Sequence, residues 1–474
     1  MADTRVVETH TSILFFVGDH VYKLKKSIDL GFLDHRDREA RQATCRNEVD
    51  LNRRLAPDVY LGVVDLVGED GEPIDHLVDM RRMPGERRLS RCIERGEDVR
   101  DALRTVGHLV AGLHERSATD PEHDAEATGA AVLGRWTEGF EQLRHLALDA
   151  SVAARMGRME ALALRYLSGR RELFDRRIGE GRIRDGHGDL QAEDVFVLDD
   201  GPRILDCLEF DERYRWGDVL ADVAFLAMDL ERLGRPDLAD GFLALHRELS
   251  ADRWPRTLAD HYVAYRAHVR AKVGILRNAQ SDDPHQAEVD RYVDLAIDHL
   301  ERAQVQLVLV GGSPGTGKST VAAGLGDRLG AVVLRTDEVR DRVVPSGGDR
   351  YRPAAVAAVY RETLVEARRL AGLGEHVIVD ATWSSAPERE LARRAAAETR
   401  CDLTELRCTL PQDEAIARLQ VRARQGTDPS EATPEVAERI AARFDPWPEA
   451  TELPTIAAPD TVAEQALEVL QQAR

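Results

Sequence analysis

The stretch Gly311-Gly312-Ser313-Pro314-Gly315-Thr316-Gly317-Lys318-Ser319-Thr320 leaves this chain few folds to choose from. It follows the apolar run Leu307-Val308-Leu309-Val310 and precedes a helical pattern, the strand, loop and helix context that a phosphate-binding loop requires. Gly312, Gly315 and Gly317 let backbone N–H groups turn inward around phosphate oxygens, with Ser313, Thr316 and Thr320 completing the loop. Lys318 adds a point charge toward the β and γ phosphates. The Ser319 hydroxyl reaches a magnesium ion.

From Gln304 onward the pattern alternates strand and helix, which argues for a parallel sheet wrapped by helices. Strands are expected at 307–310, 331–334, 376–379, 403–410 and 453–457, with nucleotide at their carboxyl ends. Asp337 follows the second strand at that edge and is the candidate general base. Asp380 ends the third strand, suited to a magnesium-bound water or to the acceptor. Arg418 and Arg422 lie four apart on one helical face, and the segment that runs on through Gly426, Asp428, Pro429 and Ser430 to Thr433 reads as a lid that brings them to the transferring phosphate.

The first half opens differently. Ser12–Val17 and His20–Lys26 flank Gly18-Asp19, a two-residue turn with Gly first, which suits a type II′ hairpin. Period-two alternation puts Lys23 and Lys25 on one strand face, so the strand alone selects neither. A helix is expected from about 36 to 55 and carries Glu48; a second hairpin follows, from Tyr60 to Met83. Helical patterns then run at 99–115, 132–148 and 152–178, so a small strand-rich lobe precedes a helical one. A further helix is expected at 216–230. Arg266 and Arg270, four apart on one helical face, read as solvated, with an anionic substrate as the alternative that they could face.

Between the helices stands Asp185-Gly-His187-Gly188-Asp189-Leu190-Gln191-Ala192-Glu193-Asp194, then a hairpin, then Ile204-Leu205-Asp206. With this motif the segment from about Ser12 to Arg277 resembles aminoglycoside phosphotransferases and related kinase-like enzymes. The resemblance implies that Asp189 is the catalytic base, Asp194 a metal ligand where that family usually has Asn, and Asp206 the main metal-binding Asp. It further implies that Lys23 and Glu48 form the small-lobe ion pair and that Asp222 braces the catalytic loop. The loop at Gly18 is not a multi-glycine clamp. Residues 304–474 are similar to small P-loop kinases of the gluconate kinase, chloramphenicol phosphotransferase, polynucleotide kinase and zeta-toxin group. There the resemblance assigns Lys318 and Ser319 to nucleotide and metal, Asp337 to the base, Arg340 to substrate, and Arg418 or Arg422 to the lid.

The expected architecture is therefore mixed, α+β and α/β: a bilobal protein-kinase-like domain over 1–300, with its small lobe over about 1–85 and its helical lobe over 86–300, then a P-loop NTPase-type parallel sheet flanked by helices over 304–474. The expected activity is ATP- and Mg2+-dependent transfer of a γ-phosphoryl group to a hydroxyl of a small molecule, such as a sugar, an aminoglycoside or a nucleoside-like metabolite. Two rivals stand beside it: a polynucleotide or nucleotide kinase in the second half, and a ligand-sensing regulatory ATPase with an inactive first lobe. A net charge of -20 over 474 residues disfavours broad nucleic-acid or anionic-membrane contact. No apolar run reaches the ~20 residues of a membrane span. Five scattered cysteines and a start without an apolar leader point to a reducing cytoplasm. Nothing in the pattern bears on oligomeric state.

Overall fold

The computed structural model describes residues 4–9, 11–29, 34–146, 148–279, 285–344, 352–425 and 434–472. The chain divides into two compact units, one of Met1–Met156, Asp175–Trp254 and Tyr262–Ala296, the other of Gly157–Phe174, Pro255–His261 and Ile297–Arg474.

In the first unit, β1 (Thr4–Glu8), β2 (Ser12–Val17), β3 (His20–Lys25), β4 (Tyr60–Val67) and β5 (Pro73–Arg81) form an antiparallel sheet in the order β1-β2-β3-β5-β4. Gly18 has φ +61° while Asp19 stays out of the left-handed region, as a type II′ turn requires. Helix α1 (Arg38–Asn52) starts at Asp37, whose carboxylate accepts from Ala40 N at 3.2 Å. Its inner face sets Cys45 and Val49 against Val59 and against Tyr60 and Val78 of the sheet, and Phe196 and Leu205 join the same core. That shared core fixes the small sheet to the loop carrying Asp206.

Helices follow as α2 (Leu89–Glu94), α3 (Arg100–Arg116), α4 (Pro121–Asp124), α5 (Gly129–Leu143), α6 (Ala150–Ser168) and α7 (Arg171–Gly179). The single helix expected over 152–178 is two. A Cβ on Gly169 would stand 2.3 Å from Thr399 O, and Arg170 turns to donate to that carbonyl at 2.6 Å, so a contact within the second unit ends α6. Next come β6 (Ile183–Asp185), β7 (Val195–Leu198), β8 (Gly201–Ile204) and β9 (Trp216–Asp218), then α8 (Val219–Arg232), α9 (Pro236–Leu249), α10 (Arg256–Asn278) and α11 (Gln286–Ala303). Residues 216–218, expected as helix, pair with β6, and Asp218 caps α8 by accepting from Leu220 N at 2.9 Å. The Ser281-Asp282-Asp283-Pro284 stretch, whose composition interrupts the helical pattern, lies outside the described residues.

The second unit is built on β10 (Gln306–Gly311), β11 (Val332–Arg335), β12 (Val377–Asp380), β13 (Asp402–Thr409) and β14 (Thr451–Pro454), all parallel in the order β11-β12-β10-β13-β14. Its helices are α12 (Lys318–Leu329), α13 (Thr336–Val343), α14 (Pro353–Gly372), α15 (Ala386–Glu398), α16 (Gln412–Gln425), α17 (Pro434–Ala441) and α18 (Pro459–Gln472). Val308 and Val310, buried at the centre, pack with Ile378, Leu406, Leu325 and Val462. The central strands β10 and β12, buried along their whole length, carry continuous apolar runs, which is why they were readable from sequence. Among the described residues no helix is long and apolar enough to cross a membrane.

Candidate active sites

In the second unit, the phosphate-binding loop leaves the central strand β10 and closes on α12. Gly312, Gly315 and Gly317 have φ of +132°, +84° and +83°, and a Cβ at Gly312 or Gly315 would meet a backbone oxygen at 2.4 or 2.5 Å. Only glycine fits there. The loop is tied by Thr316 Oγ1 donating to Ser313 O at 2.8 Å and by Thr455 Oγ1 donating to Thr316 O at 2.7 Å. Lys318 Nζ donates to Ser313 O at 3.0 Å, and Ser319 and Thr320 open the first turn of α12.

A cavity of about 370 Å3 lies over this loop and gathers Lys318, Ser319, Asp337, Arg340, Asp380 and Arg418. Their convergence follows from topology: β12 lies beside β10 with Asp380 opposite Val310, and α13 starts directly after β11. Burial raises the Asp380 carboxyl above its ordinary range, while the Lys318 charge and the Ser319 hydroxyl pull the other way. Arg335, which sequence reasoning passed over, stands 3.5 Å from Asp380 and 3.4 Å from Ser319 Oγ. Asp337 and Arg340 are ion-paired, and Arg418 donates to Thr455 O at 2.9 Å. The Arg422 side chain and the lid segment expected to run on to Thr433 lie outside the described residues.

In the first unit, the loop after β6 carries His187, Gly188 and Asp189. His187 N and Gly188 N each donate to the Asp222 carboxylate at 2.8 Å, and His114 Nε2 meets it at 2.9 Å. Burial by itself would raise the Asp222 carboxyl, but the bonds from His114 and His187 outweigh it and hold the group far below its ordinary range. Gly188 takes φ +84°, a left-handed conformation at the loop's apex. Ala192 N donates to Asp229 at 2.9 Å, so α8 anchors the loop at both ends.

Lys23 Nζ lies 2.7 Å from Glu48 Oε1 and 3.0 Å from Asp206 Oδ1. Lys25 Nζ takes the other Glu48 oxygen at 2.6 Å and pairs with Glu209, and its side chain is 1% exposed against 13% for Lys23. Both lysines thus use Glu48, but Lys23 is the one that reaches Asp206. Asp206 stands at φ +62°, its N–H donating to Tyr60 Oη at 3.2 Å and the next N–H, of Cys207, to Asn52 Oδ1 at 2.9 Å. A non-glycine residue held there carries strain that the surrounding bonds sustain.

The three loop carboxyls differ. The Lys23 charge holds Asp206 below the ordinary range. Asp194 is pushed well above it by burial and by the negative charges of Asp206 and Asp189. Asp189, half-buried, is raised to about 6, chiefly by burial and against the pull of Arg270 and Arg266. Those arginines, expected to be solvated, are half-buried instead, and Arg266 Nε donates to Ala221 O at 2.9 Å. Among the described residues no group of three or more His, Cys, Asp or Glu side chains is gathered to hold a metal unaided. Asp194 and Asp206 are the carboxyls that suit Mg2+, which binds one or two carboxylates together with substrate phosphates.

Comparison with known proteins places both halves. Residues 31–258 match the family model described as phosphotransferase enzyme family, and residues 307–447 match the one described as AAA domain. An uncharacterised protein of Mycobacterium tuberculosis is 41% identical over 452 residues, covering 93% of this chain and 90% of its own; one of Mycobacterium bovis matches equally. Among solved structures, a choline/ethanolamine kinase family protein from Mesorhizobium loti is 14% identical over 63% of this chain and 92% of its own, with a TM-score of 0.38. The APS kinase of Mycobacterium tuberculosis in complex with AMPPNP and APS is 26% identical over 35% of this chain and 98% of its own, with a TM-score of 0.30. The chain belongs to the family of those mycobacterial proteins and is itself a kinase in which an aminoglycoside phosphotransferase-like domain is followed by a P-loop kinase domain.

Proposed function

We propose that the chain is a cytoplasmic tandem phosphotransferase with two independent active sites, divided near residue 300, each passing the γ-phosphoryl group of ATP to a hydroxyl of a small molecule. The observation that carries this reading is the bridge from Lys23 to both Glu48 and Asp206, which ties the small sheet to the loop beside Asp189. A lysine so held is positioned to neutralise nucleotide phosphates, as phosphoryl transfer requires.

In the first site Asp189 accepts the proton of the acceptor hydroxyl. The oxygen bonds to the γ phosphorus as the bond to the β–γ bridging oxygen breaks, and ADP leaves. Lys23 offsets charge on the phosphates, and Asp222 keeps the loop amides and Asp189 in place. Asp194 and Asp206 would hold Mg2+, which supplies charge neutralisation at the phosphates when bound. In the second site Lys318 and the loop amides cradle the phosphates, Asp337 takes the proton, Arg340 and Arg418 meet substrate, and Ser319 and Asp380 would hold Mg2+. Arg422 belongs to the lid in this reading. The ion pair of Asp337 with Arg340 holds that carboxylate at the cavity beside Lys318.

Titration with a fluorescent ATP analogue tests this. Two nucleotides should bind per chain, one lost in Lys318→Ala and the other in Lys23→Ala. A stoichiometry of one that only Lys318→Ala abolishes would remove the first site.

A further inference from the structure

Near the first site's catalytic loop lies a cavity of about 50 Å3, enough for an anionic group and roughly a water or two but not for a sugar ring. Gly186, three residues before Asp189, lines it, as does Arg266 of α10. Five arginines and two aspartates face it.

Both aspartates are already engaged. Asp218 takes two bonds from Arg177, at 2.6 and 2.8 Å, and Asp222 holds His114 and the loop amides. Three of the arginines also have carboxylate partners: Arg135 with Glu126, Arg213 with Asp211, and Arg215 with Asp185. Arg184 and Arg266 make no direct ion pair with a carboxylate among the described residues, although the Arg266 charge acts on Asp189. Arg184 donates to the carbonyls of Gly181 and Ser117 at 2.9 and 2.7 Å, and Arg266 donates to Ala221 O at 2.9 Å and lies 4.7 Å over the Phe225 ring. Arg184 and Arg266 thus bring two guanidinium groups to one small cavity through carbonyl bonds rather than ion pairs. Guanidinium forks fit carboxylate and phosphate oxygens in pairs, so the cavity's charge is complementary to an anion.

We infer that the first site's acceptor is an anionic hydroxyl compound, its carboxylate or phosphate seated between Arg184 and Arg266 with its hydroxyl presented to Asp189. The inference rests on the reading of Asp189 as the acceptor's base. It excludes cationic amino sugars, which would meet uncompensated positive charge. Loss of either guanidinium leaves the anion's lone pairs without their fork, whereas loss of an exposed arginine away from the cavity, such as Arg104 of α3, leaves it untouched.

Calorimetric titration of the full chain in a Lys318→Ala background, where the other site's affinity for phosphate is reduced, tests this with three probes: glycerol 3-phosphate, glycerate and glycerol. One or both anions should bind and glycerol should not, and which anion binds distinguishes phosphate from carboxylate. Arg266→Gln should weaken that binding by roughly 10- to 100-fold, the usual loss for hydrogen bonds to a charged group. Arg266→Lys should fall between, and Arg104→Gln should match the parent, with melting curves confirming that each variant is folded. Equal binding of glycerol, binding of neither anion, or anion binding unchanged in folded Arg266→Gln overturns the inference. Transfer to a neutral or cationic acceptor by a first site intact in Arg266→Gln would also overturn it while leaving the kinase reading standing. Anion binding that Arg266→Gln weakens, without any transfer by the first site, would overturn the kinase reading and with it the acceptor's role, leaving only an anion-binding cavity.

Discussion

Replacing Asp189 by Asn should make the protein more stable at neutral pH while abolishing the first site's transfer. The carboxyl titrates at about 6 in the folded chain against an ordinary 3.8, chiefly because burial disfavours its charged form. A raised carboxyl contributes stability that is fully present below the unfolded value and is lost as pH rises through the folded one. The wild type therefore weakens between about pH 4 and about pH 6, and above that range the whole cost is present. At about 1.4 kcal/mol per tenfold, the difference amounts to about 3 kcal/mol, which solvent screening at a half-buried group lowers to about 2. Asn keeps the shape and cannot ionise. Urea-unfolding midpoints of wild type and Asp189→Asn, at about pH 4 and about pH 8, read the effect directly. A higher midpoint for the variant at the upper pH, shrinking toward zero at the lower, is expected. A gap independent of pH, or a less stable variant at the upper pH, would refute the electrostatic account of this loop. The first site's rate should also climb through about pH 6 as Asp189 becomes able to accept a proton.

Lys318→Ala should depress the second site's turnover by roughly 100-fold or more while altering stability by only about 0.5 kcal/mol, since its charge serves phosphates and little of the core. Unchanged steady-state kinetics would remove the loop as a catalytic site. Asp194→Asn should retain substantial transfer at saturating magnesium, because an amide oxygen still coordinates and the repulsion from Asp206 and Asp189 falls. Asp194→Ala should lose most of the rate across a magnesium series measured in the Lys318→Ala background, and full activity there would show that Asp194 is no metal ligand. Lys25→Met leaves Glu209 and one Glu48 oxygen without their cation, and should cost about 3 kcal/mol in urea unfolding together with a higher KM for ATP. Wild-type stability in that variant would mean that the second lysine does not clamp the segment after Asp206.

The second unit was legible because its signals are local. Buried parallel strands are continuous apolar runs, and three glycines with positive φ next to a lysine have few other uses. The loop around Asp189 was legible through the family resemblance that its His-Gly-Asp motif carries, which also marked Asp222. What escaped depended on distant contacts. Strand β1 is a short edge strand whose existence depends on pairing with β2. The break between α6 and α7 is set by Thr399, some 230 residues away in sequence, and no periodicity reports it. Strand-face alternation placed Lys23 and Lys25 together and could not say that Lys23 alone reaches Asp206. Arg266 and Arg270 lie at a helical spacing that ordinarily means a solvated face, and only the packing of α10 turns them inward. Arg335 ends a strand beside the loop, with no motif to mark it.

The central claim, two independent kinase sites in one chain, is tested most directly by mass spectrometry of a metabolite pool incubated with ATP, magnesium and the full chain, run beside Lys318→Ala and Asp189→Ala. The account requires two sets of phosphorylated products, one missing only in Lys318→Ala and the other missing only in Asp189→Ala. A single product set abolished by Lys318→Ala and untouched by Asp189→Ala would contradict it.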